Sequence, residues 1–115
     1  MAKNPFAKMI RDLPKADIAF KGVKGWISQA KDNQVVFMNI APIGEVAAHA
    51  HGAQWGIVVG GAMDLTIGGK TQTYRKGDSY YIPAGTVHAA RFQERTYVID
   101  VFADKKRYKA KKANG

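Results

Sequence analysis

From Trp26 onward, turn-forming residues cut this chain into runs too short for ordinary helices. Asp32-Asn33, Pro42-Ile43-Gly44, Gly60-Gly61, Gly68-Gly69, Lys76-Gly77-Asp78 and Ala84-Gly85 stand at short intervals. Such residues either reach positive φ without strain or reverse the chain. The runs between them are rich in β-branched and aromatic residues. They are Gly25–Ala30, Gln34–Ala41, Val46–Ala50, Trp55–Val59, Ala62–Ile67, Lys70–Arg75, Ser79–Ile82, Val87–Phe92 and Thr96–Ala103. Gly68-Gly69 between two such runs is the clearest hairpin, because a two-residue glycine loop suits the primed turns that match strand twist. Many short strands without a strong amphipathic helix predict an all-β sandwich or barrel.

Residues 1–24 lack this pattern. Pro5 and Pro14 interrupt them, and Ala7–Leu13 is predicted to form a short helical turn. We therefore divide the chain into an N-terminal arm (1–24), a barrel (25–103) and a basic C-terminal tail (104–115). With 115 residues, of which 46% are hydrophobic, one core is affordable.

The formal net charge of +9 is unevenly placed. The arm carries six Lys or Arg against two Asp, and the tail six against one Asp, whereas the central segment balances six of each sign. Charge confined to the ends reads as solvated tails, and it argues against dedicated nucleic-acid binding. There is no cysteine, which excludes disulfides and thiolate metal sites. The apolar runs are strand-sized, so no membrane-spanning helix is expected, and Met1–Phe6 lacks the character of a secretory leader. The expected compartment is the cytoplasm.

All three histidines fall in β-rich runs. In Ala47-Ala48-His49-Ala50-His51, strand alternation predicts one shared face for His49 and His51, about 7 Å apart. Gly52 permits a bend that brings Gln54 to the same point, and the Pro83-Ala84-Gly85 turn precedes His88. Imidazoles from two segments meeting at one point would hold a divalent transition metal (Zn, Ni, Fe, Mn or Cu), with Gln54 as fourth ligand.

Two motifs carry a family resemblance. Gly77-x5-Pro83-x-Gly85-x2-His88 and Gly44-x4-His49-x-His51-x2-Gln54-x6-Gly61 resemble the second and first motifs of the cupins. The first motif is one residue short on each side of its histidine pair, Gln54 stands where glutamate is usual, and Phe92 where asparagine is usual. The resemblance implies an antiparallel double-stranded β-helix (a jelly-roll barrel) with a metal inside it, and a homodimer. Three neutral imidazoles and a neutral amide leave the ion's charge unbalanced, so the site is expected to take a small anionic oxygen ligand.

Thr96–Phe102 adds a carboxylate. Alternation sets Val98, Asp100 and Phe102 on one face and Tyr97, Ile99 and Val101 on the other. Asp100 reads equally well as a general acid/base near the metal or as a strand-end carboxylate held by a cap or an ion pair. Asp100-Val101-Phe102 followed by Lys105, Lys106 and Arg107 resembles the C-terminal signature of the small pectin-degradation cupins, which open unsaturated uronates to linear keto acids. That likeness implies Asp100 as acid/base, Phe102 as a wall of the sugar pocket, and Arg107 or Lys106 as the contact for the substrate carboxylate. Trp26, Met38 and Tyr80 are candidates to line the pocket, while Arg91 falls on the opposite face by parity. Three activities follow: a metal-assisted isomerase or lyase on a sugar-derived acid, an iron-dependent dioxygenase, or a non-catalytic ligand-binding barrel.

Overall fold

A computed structural model of the chain describes residues 4–112. The outer three residues of the arm and of the tail lie outside the described residues. Among the described residues, one short helix, α1 (Lys8–Arg11), precedes nine strands. These are β1 (Val23–Gln29), β2 (Gln34–Ile40), β3 (Gly44–His49), β4 (Gln54–Gly60), β5 (Ala62–Ile67), β6 (Lys70–Arg75), β7 (Ser79–Ile82), β8 (His88–Phe92) and β9 (Thr96–Phe102). They form two antiparallel sheets, ordered β1-β2-β9-β4-β7 and β3-β8-β5-β6. Two packed antiparallel sheets are the all-β arrangement expected from the turn spacing, and the jelly-roll barrel is what the motif resemblance implied. No helix among the described residues is long and apolar enough to cross a membrane.

The strand faces follow the alternation in the sequence. In β2, Gln34, Val36, Met38 and Ile40 point inward and are buried. In β9, Val98, Asp100 and Phe102 do the same. Both central glycines of the β5–β6 hairpin have positive φ, +56° at Gly68 and +84° at Gly69, as a primed turn demands. The inner faces meet in one core that includes Ile27, Val36, Met38, Val58 and Leu65.

A second cluster lies outside the five-stranded sheet. Phe6, Ile10 and Leu13 of the N-terminal segment cover Trp26, Phe37 and Tyr97 there. Trp26 is therefore packed on the outside of the sheet and does not line the cavity, contrary to one expectation from the sequence. Farther along the same face, Trp55 and Tyr81 lie opposite each other on β4 and β7. They remain 43% and 58% exposed.

The two basic segments run together. Ala16 bridges Ala110 in antiparallel sense. The Asp17 amide donates to the Lys109 carbonyl, and the Lys111 amide to the Lys15 carbonyl, both at 2.7 Å. The lysine side chains stay exposed, so their charge is solvated while their backbones pair.

Candidate metal centre

β3 and β8 bring two imidazoles together directly, since His49 is the register partner of His88. The register slips by one residue between Val46 and His49, a β-bulge around Ala47-Ala48. β3 ends at His49, so His51 lies beyond the strand. This corrects the expectation of one strand carrying both side chains at simple alternation. The bulge and the bend after His49 deliver both rings to one place, with centroids 5.3 Å apart. The Gly85 amide donates to the His51 carbonyl at 2.9 Å, tying the Pro83–Gly85 turn to that bend.

The ring nitrogens define the chemistry. Each Nδ1 faces a backbone carbonyl: His49 to Ala47 at 2.9 Å, His51 to Gly52 at 2.8 Å, and His88 to Thr86 at 2.9 Å. A carbonyl only accepts, so each Nδ1 carries the proton and each Nε2 presents a lone pair. A ligand nitrogen from each of the three rings lies within 4.8 Å of the other two. The Nε2 atoms of His51 and His88 are 3.1 Å apart. Two facing lone pairs at that distance repel unless a cation lies beside them. Ligands about 2.0–2.1 Å from a common ion stand roughly 3.0–3.4 Å from each other, so the spacing fits a metal. Burial lowers the pKa of both His51 and His88, which favours the neutral form that ligation needs.

The opposite wall carries an acid. Asp100 is 4% exposed in the middle of β9. The Tyr80 hydroxyl donates to its Oδ1 at 2.6 Å. A second hydrogen bond comes from the Gln54 side chain. Burial pushes the Asp100 carboxyl up from 3.8 to about 6, against the pull of those two hydrogen bonds and of Arg107. Its hydrogen-bond partners are thus a phenol and an amide, and among the described residues no ion pair forms to it. Burial, and then the facing carboxylate, also drive the Tyr80 hydroxyl well above its ordinary value.

Gly56 makes this pairing possible, and nothing in the sequence marked it. Gly56 pairs with Tyr80 on one side and with Asp100 on the other. A Cβ there would overlap the Asp100 carboxylate and the Tyr80 ring tip. The bare backbone leaves a slot through which the phenol crosses β4 to reach the acid.

A cavity of about 100 Å³ lies between these walls. His49, His51, His88, Gln54, Asp100 and Arg107 line its polar part, and Met38 and Tyr80 line it as the sequence suggested. Phe102 is buried beside them, its ring 5.7 Å from that of His51. Arg107 arrives from the segment after β9, with its guanidinium 4.4 Å from the Tyr108 ring centroid and 5.8 Å from that of Phe102. Its Nε is buried with no hydrogen-bond partner. Lys106 is exposed and does not line the cavity, so Arg107 is the cation the fold brings in. Arg91 is exposed, as parity required.

Comparison with known proteins agrees with this architecture. A family model described as a cupin domain matches residues 36–102. The structure of KdgF from a Halomonas species superposes with a TM-score of 0.68 at 27% identity, covering 76% of this chain and 83% of that one. An RmlC-like cupin from Shewanella frigidimarina gives a TM-score of 0.71 at 22% identity, over 87% of this chain and 90% of that one. A variant of Bacillus subtilis oxalate decarboxylase gives 0.70 at 22% identity, covering 84% of this chain but 28% of the larger one. No curated protein matches the chain.

Proposed function

This chain belongs to the cupin-domain family, and from that premise we propose that it is a metal-dependent isomerase or lyase acting on a small anionic, sugar-derived substrate such as an unsaturated uronate. The observation that carries the proposal is the meeting of three imidazole nitrogens with a buried, protonatable carboxylate across one cavity. The Asp100-Val101-Phe102 signature and the likeness to KdgF support the substrate class.

His49, His51, His88 and Gln54 would hold the ion, and a divalent ion held there would supply positive charge to polarise a substrate oxygen. Arg107 faces the cavity as the contact for the substrate carboxylate, bidentate pairing being the strength of a guanidinium. Phe102 and the apolar wall exclude water. Opening the ring of an unsaturated uronate removes the anomeric hydroxyl proton, breaks the ring C–O bond and returns a proton to the alkene carbon. Substrate and product are isomers, so one acid–base group can serve both transfers. Asp100 is suited to that work, because an acid near pH 6 both accepts and donates close to neutrality.

Turnover of an unsaturated uronate by the metal-loaded protein, followed anaerobically by loss of alkene absorbance, tests the reading. Asp100→Asn should keep its metal and lose at least about 100-fold in rate. Normal turnover by Asp100→Asn removes the acid from the mechanism. A wild-type protein that loads metal yet ignores the uronate overturns the substrate class, and oxygen uptake with substrate points to the dioxygenase instead.

The uncovered face around Trp55 and Tyr81 bears on assembly. It continues through Val101, which pairs with Trp55, and Val35, which pairs with Val101. We read it as the contact of a homodimer, since large apolar side chains seldom stand in one row on a monomer's surface. Light scattering of wild type and of Trp55→Glu should show a dimer and a monomer respectively.

A further inference from the structure

We infer that Gln34 is the positioning residue that sets Arg107 against the cavity, an inference that rests on the reading of Arg107 as the carboxylate contact. Gln34 opens β2 on its inward face and is 1% exposed. A buried carboxamide must satisfy two N–H donors and an oxygen acceptor. Most of that capacity goes to one place. Its Nε2 donates to the Tyr108 carbonyl at 2.9 Å, and its Oε1 accepts from the Tyr108 amide at 3.1 Å. The side chain thus behaves as a peptide unit, pairing residue 108 as a neighbouring strand would.

The second donor extends the grip. Gln34 Nε2 also donates to Gln29 Oε1 at 2.9 Å, and Gln29 Nε2 donates to the Lys105 carbonyl at 2.9 Å. Just before the first anchor, Asp104 closes a turn by accepting from the Lys106 amide at its Oδ1 and from the Arg107 amide at its carbonyl. The segment carrying Arg107 is therefore held on both sides by two glutamines of the β1–β2 hairpin.

Arg107 needs such a frame. Its guanidinium stacks on Tyr108 and Phe102, and its buried Nε has no partner. Stacking fixes the plane of the group but not its reach. The reach follows from where the backbone of residues 107 and 108 sits, which Gln34 determines. A guanidinium displaced by about 1 Å loses the alignment that a bidentate carboxylate contact requires.

The test uses the full chain loaded with Co(II), with galacturonate as the carboxylate probe and galactose as its neutral counterpart. Wild type should bind galacturonate in preference to galactose. Gln34→Met should weaken galacturonate about tenfold while leaving Co(II) affinity and galactose binding unchanged. In an Arg107→Leu background the same change should cost nothing further, because a residue acting through another shows full coupling in a double-mutant cycle. Should Gln34→Met fail to fold, the exposed Gln29→Ala decides, with a smaller loss in the same direction. Galacturonate binding indifferent to both glutamines, or additive losses in the cycle, overturn the inference alone. A Co(II)-loaded wild type that does not prefer galacturonate overturns the Arg107 reading and this inference with it.

Discussion

The two walls of the cavity are held in opposite ways. On the β3–β8 side each imidazole is oriented by a carbonyl no more than two residues away in the chain. On the β4–β7–β9 side, Asp100 is oriented by a phenol twenty residues distant, reaching it across a strand that must lack a side chain. The first wall is set by local geometry and the second by packing. The lesson is one of tolerance: a locally set ligand survives movement of its neighbours, while a carboxylate set by packing fails when any of three strands shifts.

The sharpest way to break the contrast is at the imidazoles. His88→Ala should lower affinity for Zn or Co(II) by more than about 100-fold in a metal titration, with the barrel still folded. Next comes pH, where the walls should respond with opposite sign in metal-free protein. Asp100 has a folded-state pKa of about 6 against 3.8 for an ordinary aspartate. Its contribution to stability is complete below 3.8 and is lost as pH rises through 6, a swing of about 3 kcal/mol. His51 and His88 have lowered values, so their contribution is present above the ordinary 6.5 and is lost as pH falls through the folded value. Denaturant melts between pH 4 and 7 should show wild type gaining on Asp100→Asn as the solution is acidified. A constant difference between the two would mean that the carboxyl is not perturbed.

Smaller effects probe the packed wall alone. Gly56→Ala should destabilise by about 2 kcal/mol, as overpacking does, and should leave metal affinity within a few-fold of wild type. Equal loss of metal would show that the walls are not separable. Tyr80→Phe removes one hydrogen bond and should cost about 1 kcal/mol, measured by urea unfolding.

The same division explains what the sequence could tell. Glycine and proline spacing made the strands legible, and the His-x-His and Pro-x-Gly-x2-His patterns made the three-histidine cluster legible, because both are short-range signals. Parity grouped Asp100 with Val98 and Phe102, and that face is the buried one. The bulge at Ala47-Ala48 was not legible: alanines carry no register information, and the slip that moves His51 off the strand is a property of the β3–β8 pair. Gly56 looked like any strand glycine, since its role appears only when β7 and β9 lie on either side of it. The pairing of residues 15–17 with 109–111 was hidden in lysine-rich text with no apolar pattern.

β9 has a further consequence. It is the last strand in the chain, yet it lies between β2 and β4 at the middle of its sheet. A ribosome making this protein releases β1 to β8 before the piece that joins them exists, so the larger sheet stays split in two until Phe102 has emerged. Closure must then be a late, non-local insertion, the kind of step that makes folding slow. The nascent chain displays its imidazoles first and receives the acid that faces them last.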